Sequence, residues 1–258
     1  MIEKTNALVL RIAHFSETSD IVSWLTDETG IITTVIKGAH RPKSAFLGQY
    51  DLFYTCELLY YSRHRNGLHI ARECSPISSR PRLRTNWRAS FSASYATDLA
   101  ARTSVRGISH HSLFELLYTT LDFLTICVSA PVVFWYELTL LSILGLAPQL
   151  TNCAICTAQL PSKTLTFSPA LGGLLCPNCQ NRRSGESTRI GPDVAALLRT
   201  WQANTSPRAA ANIKCTPAQL SAVRMTLGMF LNFHLEIPTI SSARGIVMKA
   251  LSHDHLTI

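Results

Sequence analysis

Charge is what this 258-residue sequence has least of: Asp, Glu, Lys and Arg together make up 16% of it, against 47% apolar residues. With 10 Phe, 7 Tyr and 4 Trp, such a composition excludes a disordered or collagen-like chain, because it buries enough surface to offset the entropy of folding. Long apolar runs are missing as well. Within the most apolar helical pattern, the charge-free run Phe123–Tyr136 spans 14 residues and contains Pro131. A membrane-spanning helix needs about 20 predominantly apolar residues. No leader segment is legible at Met1-Ile2-Glu3-Lys4, so the expectation is a soluble cytoplasmic protein with no membrane association. Catalytic signatures are wanting too: there is no H-E-x-x-H, no G-x-x-x-x-G-K-[ST] and no G-x-S-x-G. Internal repeats and long linkers are absent, and the length suits one large or two modest domains.

The remaining titratable residues supply no clear catalytic set. The pairs His110-His111 and His253/His255 read as surface or capping residues. Glu17/Asp20 and Asp27/Glu28 fall near predicted strand ends, where paired carboxylates could hold a metal for nuclease chemistry. No third ligand is recognisable beside them, and solvated turn residues are the better reading. His234-Leu235-Glu236 imitates the H-x-E of zinc deaminases, but it follows the cysteines, and Leu175 rather than proline precedes Cys176. The order is wrong for that chemistry.

What charge there is leans one way. The 24 Lys and Arg outnumber 16 Asp and Glu, for a formal net charge of +8. Residues 85–150 are slightly acidic, whereas between Thr29 and Tyr50 Lys37, Arg41 and Lys43 meet no acid at all. Between Leu58 and Thr97 stand Arg63, Arg65, Arg72, Arg80, Arg82, Arg84 and Arg88 against the single acid Glu73. Such runs suit a surface that meets a polyanion; a solvated basic face with no partner is the plainer alternative.

The eight cysteines separate into two classes. Cys56, Cys74, Cys127 and Cys215 are isolated in apolar or strand-like settings, where cysteine behaves as a small buried hydrophobe. The others form Cys153-Ala-Ile-Cys156, then 19 intervening residues, then Cys176-Pro-Asn-Cys179. Two C-x-x-C turns at this spacing aim four thiolates at one point, the pattern of a structural zinc site. Four sulfur ligands also close the coordination sphere, unlike a catalytic zinc, which keeps a position open for water.

Strand patterns occupy the first part of the chain, at Thr5–Ile12, Ile21–Leu25, Ile31–Ile36, Leu52–Tyr61 and Leu68–Arg72. Asn66-Gly67 is a strong hairpin signal, because a type I′ turn needs positive φ at both central residues. Five short strands suit an OB-fold barrel, with an SH3-like barrel reading similarly. From Asn86 the period turns helical. Leu113, Leu116, Leu117, Leu121, Leu124 and Val128 share one stripe. Further helices are predicted from Val132 to Leu144, from Pro192 through Trp201, and from Thr216-Pro217-Ala218-Gln219, which has the form of a capping box. The last of these buries Leu220, Val223, Leu227, Leu231 and His234. The fold class expected is α+β. A five-stranded OB-fold barrel spans residues 1–80, and an α-helical domain spans 81–258, with a four-cysteine zinc-binding excursion at about 150–182.

Several runs together resemble one family. Phe15-Ser16-Glu17-Thr18-Ser19-Asp20, then Thr29-Gly30, then Lys37-Gly38-Ala39-His40-Arg41-Pro42-Lys43-Ser44 resemble the N-terminal barrel of the bacterial RecO family. So does Tyr136-Glu137-Leu138 through Leu141, Gly145 and Pro148 ahead of the first knuckle, and so do Phe167-Ser168 and Gly172-Gly173 ahead of Cys176. The likeness covers nearly the whole chain in order. It departs at His40, where a basic residue is more usual, at Thr157, where glycine is common, and at Gln49–Phe53.

The resemblance implies a recombination mediator rather than an enzyme. Such proteins bind single- and double-stranded DNA, anneal complementary strands, contact the acidic tail of the single-stranded-DNA-binding protein, and work with RecR to help load RecA. On this reading Lys37, His40, Arg41 and Lys43 form a DNA-binding loop after the third strand, Arg63 and Arg65 flank the hairpin tip, and Arg80, Arg82, Arg84 and Arg88 extend the surface. Tyr60, Tyr61 and Trp24 are candidates for base stacking, with core packing as the alternative. Cys153, Cys156, Cys176 and Cys179 would hold one structural Zn²⁺. The protein would work in the cytoplasm, associated with the nucleoid. The competing class is a zinc-ribbon, OB-fold RNA-binding or transcription-associated factor.

Overall fold

Alternating apolar residues place five strands around one core. In a computed structural model, which describes residues 1–63, 67–104, 111–182, 185–237 and 240–252, these are β1 (Ile2–Ser16), β2 (Ser19–Thr26), β3 (Gly30–Ile36), β4 (Thr55–Tyr61) and β5 (Leu68–Ser78). They close into a barrel in the order β1-β2-β3-β5-β4, with the β3–β5 pair parallel and the others antiparallel. That order is the OB-fold. Ala7 and Val9, Val22 and Trp24, Ile32 and Ile36, and Cys56, Leu58 and Tyr60 lie two or four residues apart, on the inward face of their strands, and fill the interior. Strand β1 pairs with β4 through residues 2–8 and with β2 through residues 7–16, and bulges near Leu10 and Phe15 let one long strand serve both edges. Trp24 and Tyr60 are 0% and 2% exposed, so both belong to the barrel core and not to a base-stacking platform. Strand β5 outruns its prediction by six residues, and within the added stretch Pro76 pairs with Cys56. Arg65 and Asn66, at the expected hairpin tip, lie outside the described residues, as do His110, His253 and His255.

The chain divides into two compact units, Met1–Ile126 and Cys127–Ile258. The boundary expected at residue 81 falls inside the first unit. Helices α1 (Arg82–Thr85), α2 (Trp87–Thr103) and α3 (His111–Leu124) belong with the barrel, α2 against β1 and α3 against β2. This explains why β1 and β2 bury residues of both parities, Leu8 and Leu25 included. Arg80 holds the junction. It is 4% exposed, its Nε donates to Asp122 Oδ1 at 2.6 Å, and its Nη1 donates to the Phe53 carbonyl at 2.7 Å and to Thr55 Oγ1 at 2.8 Å. Its guanidinium also lies 5.0 Å from the centre of the Tyr118 ring. Arg80 therefore leaves the predicted DNA-binding set, because its charge is spent inside the protein.

In the second unit, α4 (Ala130–Ile143) is apolar on every side and buries ten residues. Packed against it are α5 (Pro192–Ala203), α6 (Pro207–Ala211), α7 (Pro217–Leu235) and α8 (Ile240–Ser252). The predicted capping box at Thr216 and Gln219 is present. Glu137, fully buried, is met by a two-pronged ion pair from Arg244 at 2.6 and 2.9 Å. Between α4 and α5 the chain builds a three-stranded sheet from β6 (Leu165–Ser168), β7 (Gly173–Leu175) and β8 (Thr188–Ile190). Gly173 is required there, since a Cβ would collide with the Gln149 backbone bridged to it. Cys127 and Cys215, expected in the interior, are only half-buried.

Arg80→Met should lower the unfolding free energy by about 2–3 kcal/mol, because it leaves the Phe53 carbonyl and Asp122 without their donor. The figure stays below that of a fully buried pair because the Asp122 side chain is 43% exposed. Arg84→Met, on the surface, should cost within about 0.5 kcal/mol. Urea denaturation followed by circular dichroism measures both.

Candidate functional site

The basic run after β3 folds as a series of tight turns. Arg41 N–H donates to the Gly38 carbonyl, Ser44 N–H to Arg41 and Leu47 N–H to Ser44. Gly38 takes a φ of +69°. Ala39 is 3% exposed and anchors the turn to the barrel core, while Lys37, His40, Arg41 and Lys43 are all exposed. One short buried residue thus presents four polar heads to solvent from a rigid base.

The base itself was invisible in the sequence. Asp20, expected as a solvated turn residue, is 2% exposed. Its Oδ1 lies 2.9 Å from His14 Nδ1 and 2.8 Å from His40 Nε2, and its Oδ2 accepts the Tyr50 hydroxyl at 2.6 Å. Burial works against the charged carboxylate, but the hydrogen bonds from Tyr50 and His40 outweigh it and hold its pKa below the usual value. Desolvation and the same carboxylate push the Tyr50 hydroxyl far up, so it stays a donor. Asp20 therefore fastens both ends of the loop, through His40 and Tyr50, to the start of β2. The only advance signal was its place in the Phe15–Asp20 run; a buried acid has no periodicity to reveal it.

The other predicted cations are dispersed along the first unit. Arg63 is exposed beyond β4. Arg82 and Arg84 are exposed on the short helix α1, and Arg84 stacks over Tyr54 at 5.0 Å and donates to the Ser79 carbonyl. Arg88 is half-buried over the Trp87 ring at 5.3 Å. Trp87 and Phe91, 55% and 45% exposed and in edge contact, are aromatics that the sequence reading passed over; Tyr61 of the earlier candidates is 42% exposed.

The four cysteines converge. The sulfurs of Cys153, Cys156, Cys176 and Cys179 lie within 4.8 Å of one another. Thiolates around a metal at about 2.3 Å form a tetrahedron with edges of about 3.8 Å, and the Cys156–Cys176 separation is 3.7 Å. Burial disfavours the Cys153 thiolate, but the backbone groups of Cys156 and Cys176 more than compensate and bring its pKa to about 6. Cys179, desolvated and crowded by the other thiols, is pushed up to about 12. One negative charge is accommodated by the protein alone. Four require a cation, so the donor set fits a metal ion. Thr157 after the first knuckle takes a φ of +59°, a left-handed conformation that glycine adopts most readily.

Two family models cover the chain: the N-terminal domain of Recombination protein O over residues 1–80 and its C-terminal domain over residues 84–243. The chain belongs to the RecO family. It is 32% identical over 186 residues to the DNA repair protein RecO of Desulfitobacterium hafniense, covering 72% of this chain and 67% of that protein. With the RecO of Dehalococcoides mccartyi it shares 29% identity over 234 residues, 90% of each chain. With that of Roseiflexus sp. it shares 36% over 177 residues, 68% of this chain and 62% of the other. The RecO barrel and the four-cysteine cluster expected from the sequence are both present. Among the described residues, no helix is long and apolar enough to cross a membrane.

Protein purified without chelators should carry one tightly held metal equivalent, and Cys176→Ser should abolish it and lower the melting temperature. Elemental analysis alongside a thermal melt reads both changes.

Proposed function

We propose that this RecO-family chain is a recombination mediator that works without bond-making chemistry. It binds single- and double-stranded DNA through the phosphate backbone and brings complementary strands together. With RecR, it helps load RecA onto DNA covered by the single-stranded-DNA-binding protein, whose acidic tail it contacts, in the nucleoid of the cytoplasm. The observation that carries this reading is the loop of Lys37, Arg41 and Lys43, all exposed, with its foot fixed by a buried carboxylate. Cations held on a rigid base meet phosphates at low entropic cost. Annealing needs no nucleophile, only two strands brought close with their repulsion screened. His40 stands on the same loop, and Arg63, Arg82, Arg84 and Arg88 extend the surface; Arg65 belongs to the same proposal.

The four-cysteine ion is proposed to be Zn²⁺, in keeping with an all-thiolate tetrahedron. Its role is structural, since four protein ligands leave no position for substrate. For the acidic tail, a groove of about 180 Å³ lined by Phe134, Leu220, Arg224, Met248 and Leu251 joins apolar walls to one cation and suits an acidic segment with apolar side chains.

Binding to single-stranded DNA should weaken steeply with salt. Replacing Lys37, Arg41 and Lys43 with Ala should flatten the log–log slope by about 2, from about 0.7 per phosphate contact, and slow strand annealing. An unchanged slope in a fluorescence anisotropy titration would refute the loop assignment. The RNA-binding alternative predicts equal or tighter binding to RNA of the same length, which the same titration decides.

A further inference from the structure

The constellation at the loop's foot has the composition of a metal site. We propose that His14, Asp20 and His40 form a second metal-binding site, for a zinc-class dication, separate from the four-cysteine cluster. His14 and Asp20 are direct cross-strand partners in the β1–β2 ladder, which puts both side chains on one face of the barrel. The bulge that follows His14 turns β1 at that point. His40 arrives from the basic loop, its backbone N–H held by the Thr18 carbonyl at 3.3 Å. The three donor atoms, two imidazole nitrogens and a carboxylate oxygen, lie within 4.8 Å of one another.

Two imidazoles and a carboxylate suit borderline dications such as Zn²⁺ and Co²⁺ rather than Mg²⁺ or Ca²⁺, which prefer all-oxygen shells. Both nitrogens are 2.8–2.9 Å from the same oxygen, Asp20 Oδ1. Tetrahedral bonds of about 2.0–2.1 Å place ligand atoms about 3.3 Å apart, so each contact needs to open by only about half an ångström. His14 has the freedom to do so, its side chain being 80% exposed, and His40 is 39% exposed. The carboxylate is oriented from behind: its other oxygen accepts the Tyr50 hydroxyl at 2.6 Å, the kind of outer hydrogen bond that fixes a metal-binding carboxylate.

Three protein ligands leave a fourth position open on the exposed side, in contrast to the closed four-sulfur cluster. The bound ion would clamp the basic loop to the β1–β2 hairpin and add positive charge at its base. The ion-binding proposal stands whether or not the loop binds DNA.

The test is an isothermal titration of Zn²⁺ into full-length protein that already carries its tightly held four-cysteine equivalent. A second equivalent is expected, with affinity at least tenfold weaker in both His14→Ala and His40→Ala. Because the His14 side chain is 80% exposed, His14→Ala should melt like the wild type, which separates lost binding from lost folding. Co²⁺ at the second site should give visible bands without the thiolate charge-transfer absorption of the cysteine cluster. No second equivalent in the wild type, or uptake by either variant equal to wild type, overturns the proposal.

Discussion

Arg80 is the contact on which the first unit depends. A guanidinium buried to 4% exposure is costly to desolvate, and it persists because a carboxylate, a carbonyl and a hydroxyl accept from it and an aromatic ring faces it. Its acceptors come from the turn before β4, from β4 itself and from α3, so one side chain ties the barrel to its helices. The residue also adopts a φ of +41°, which an arginine would rarely take without such support. Strand β5 can then hand the chain directly to α1 and α2. The outer faces of β1 and β2, which a free barrel would leave wet, are covered.

A similar logic operates at the loop. Lys37, Arg41 and Lys43 repel one another, and a loop made only of such residues would have no preferred shape. Buried Asp20 supplies the opposite charge where it is least screened, and Tyr50 and His40 deliver the two ends of the loop to it. Positive charge thus faces solvent while the compensating negative charge sits inside. In the second unit Glu137 and Arg244 repeat the arrangement, a buried acid met by one cation at the centre of an apolar helix packing.

Much of this was legible beforehand because it rests on local repetition. The barrel strands showed their period of two, the α3 and α7 stripes their helical period, and Thr216 and Gln219 their capping chemistry. The cysteine spacing alone announces a four-sulfur cluster. What escaped was non-local. Asp20 looked like a turn residue because nothing nearby in the chain reveals that His40 and Tyr50 will close over it. Arg80 looked like one more member of a basic run because Asp122 stands 42 residues away. Nothing local announces the exposure of Trp87 and Phe91, and between stacking and core, the two readings open for Trp24 and Tyr60, only the closed barrel decides for core.

The sequence by itself determined the classes of element, the metal-ligand spacing and the sign of the surface charge, all properties of short windows in which periodicity and residue chemistry suffice. Only the tertiary structure decided which charges are free to meet a partner. A cation's availability depends on the acceptors that distant segments bring to it, and those acceptors appear only when the chain has closed on itself.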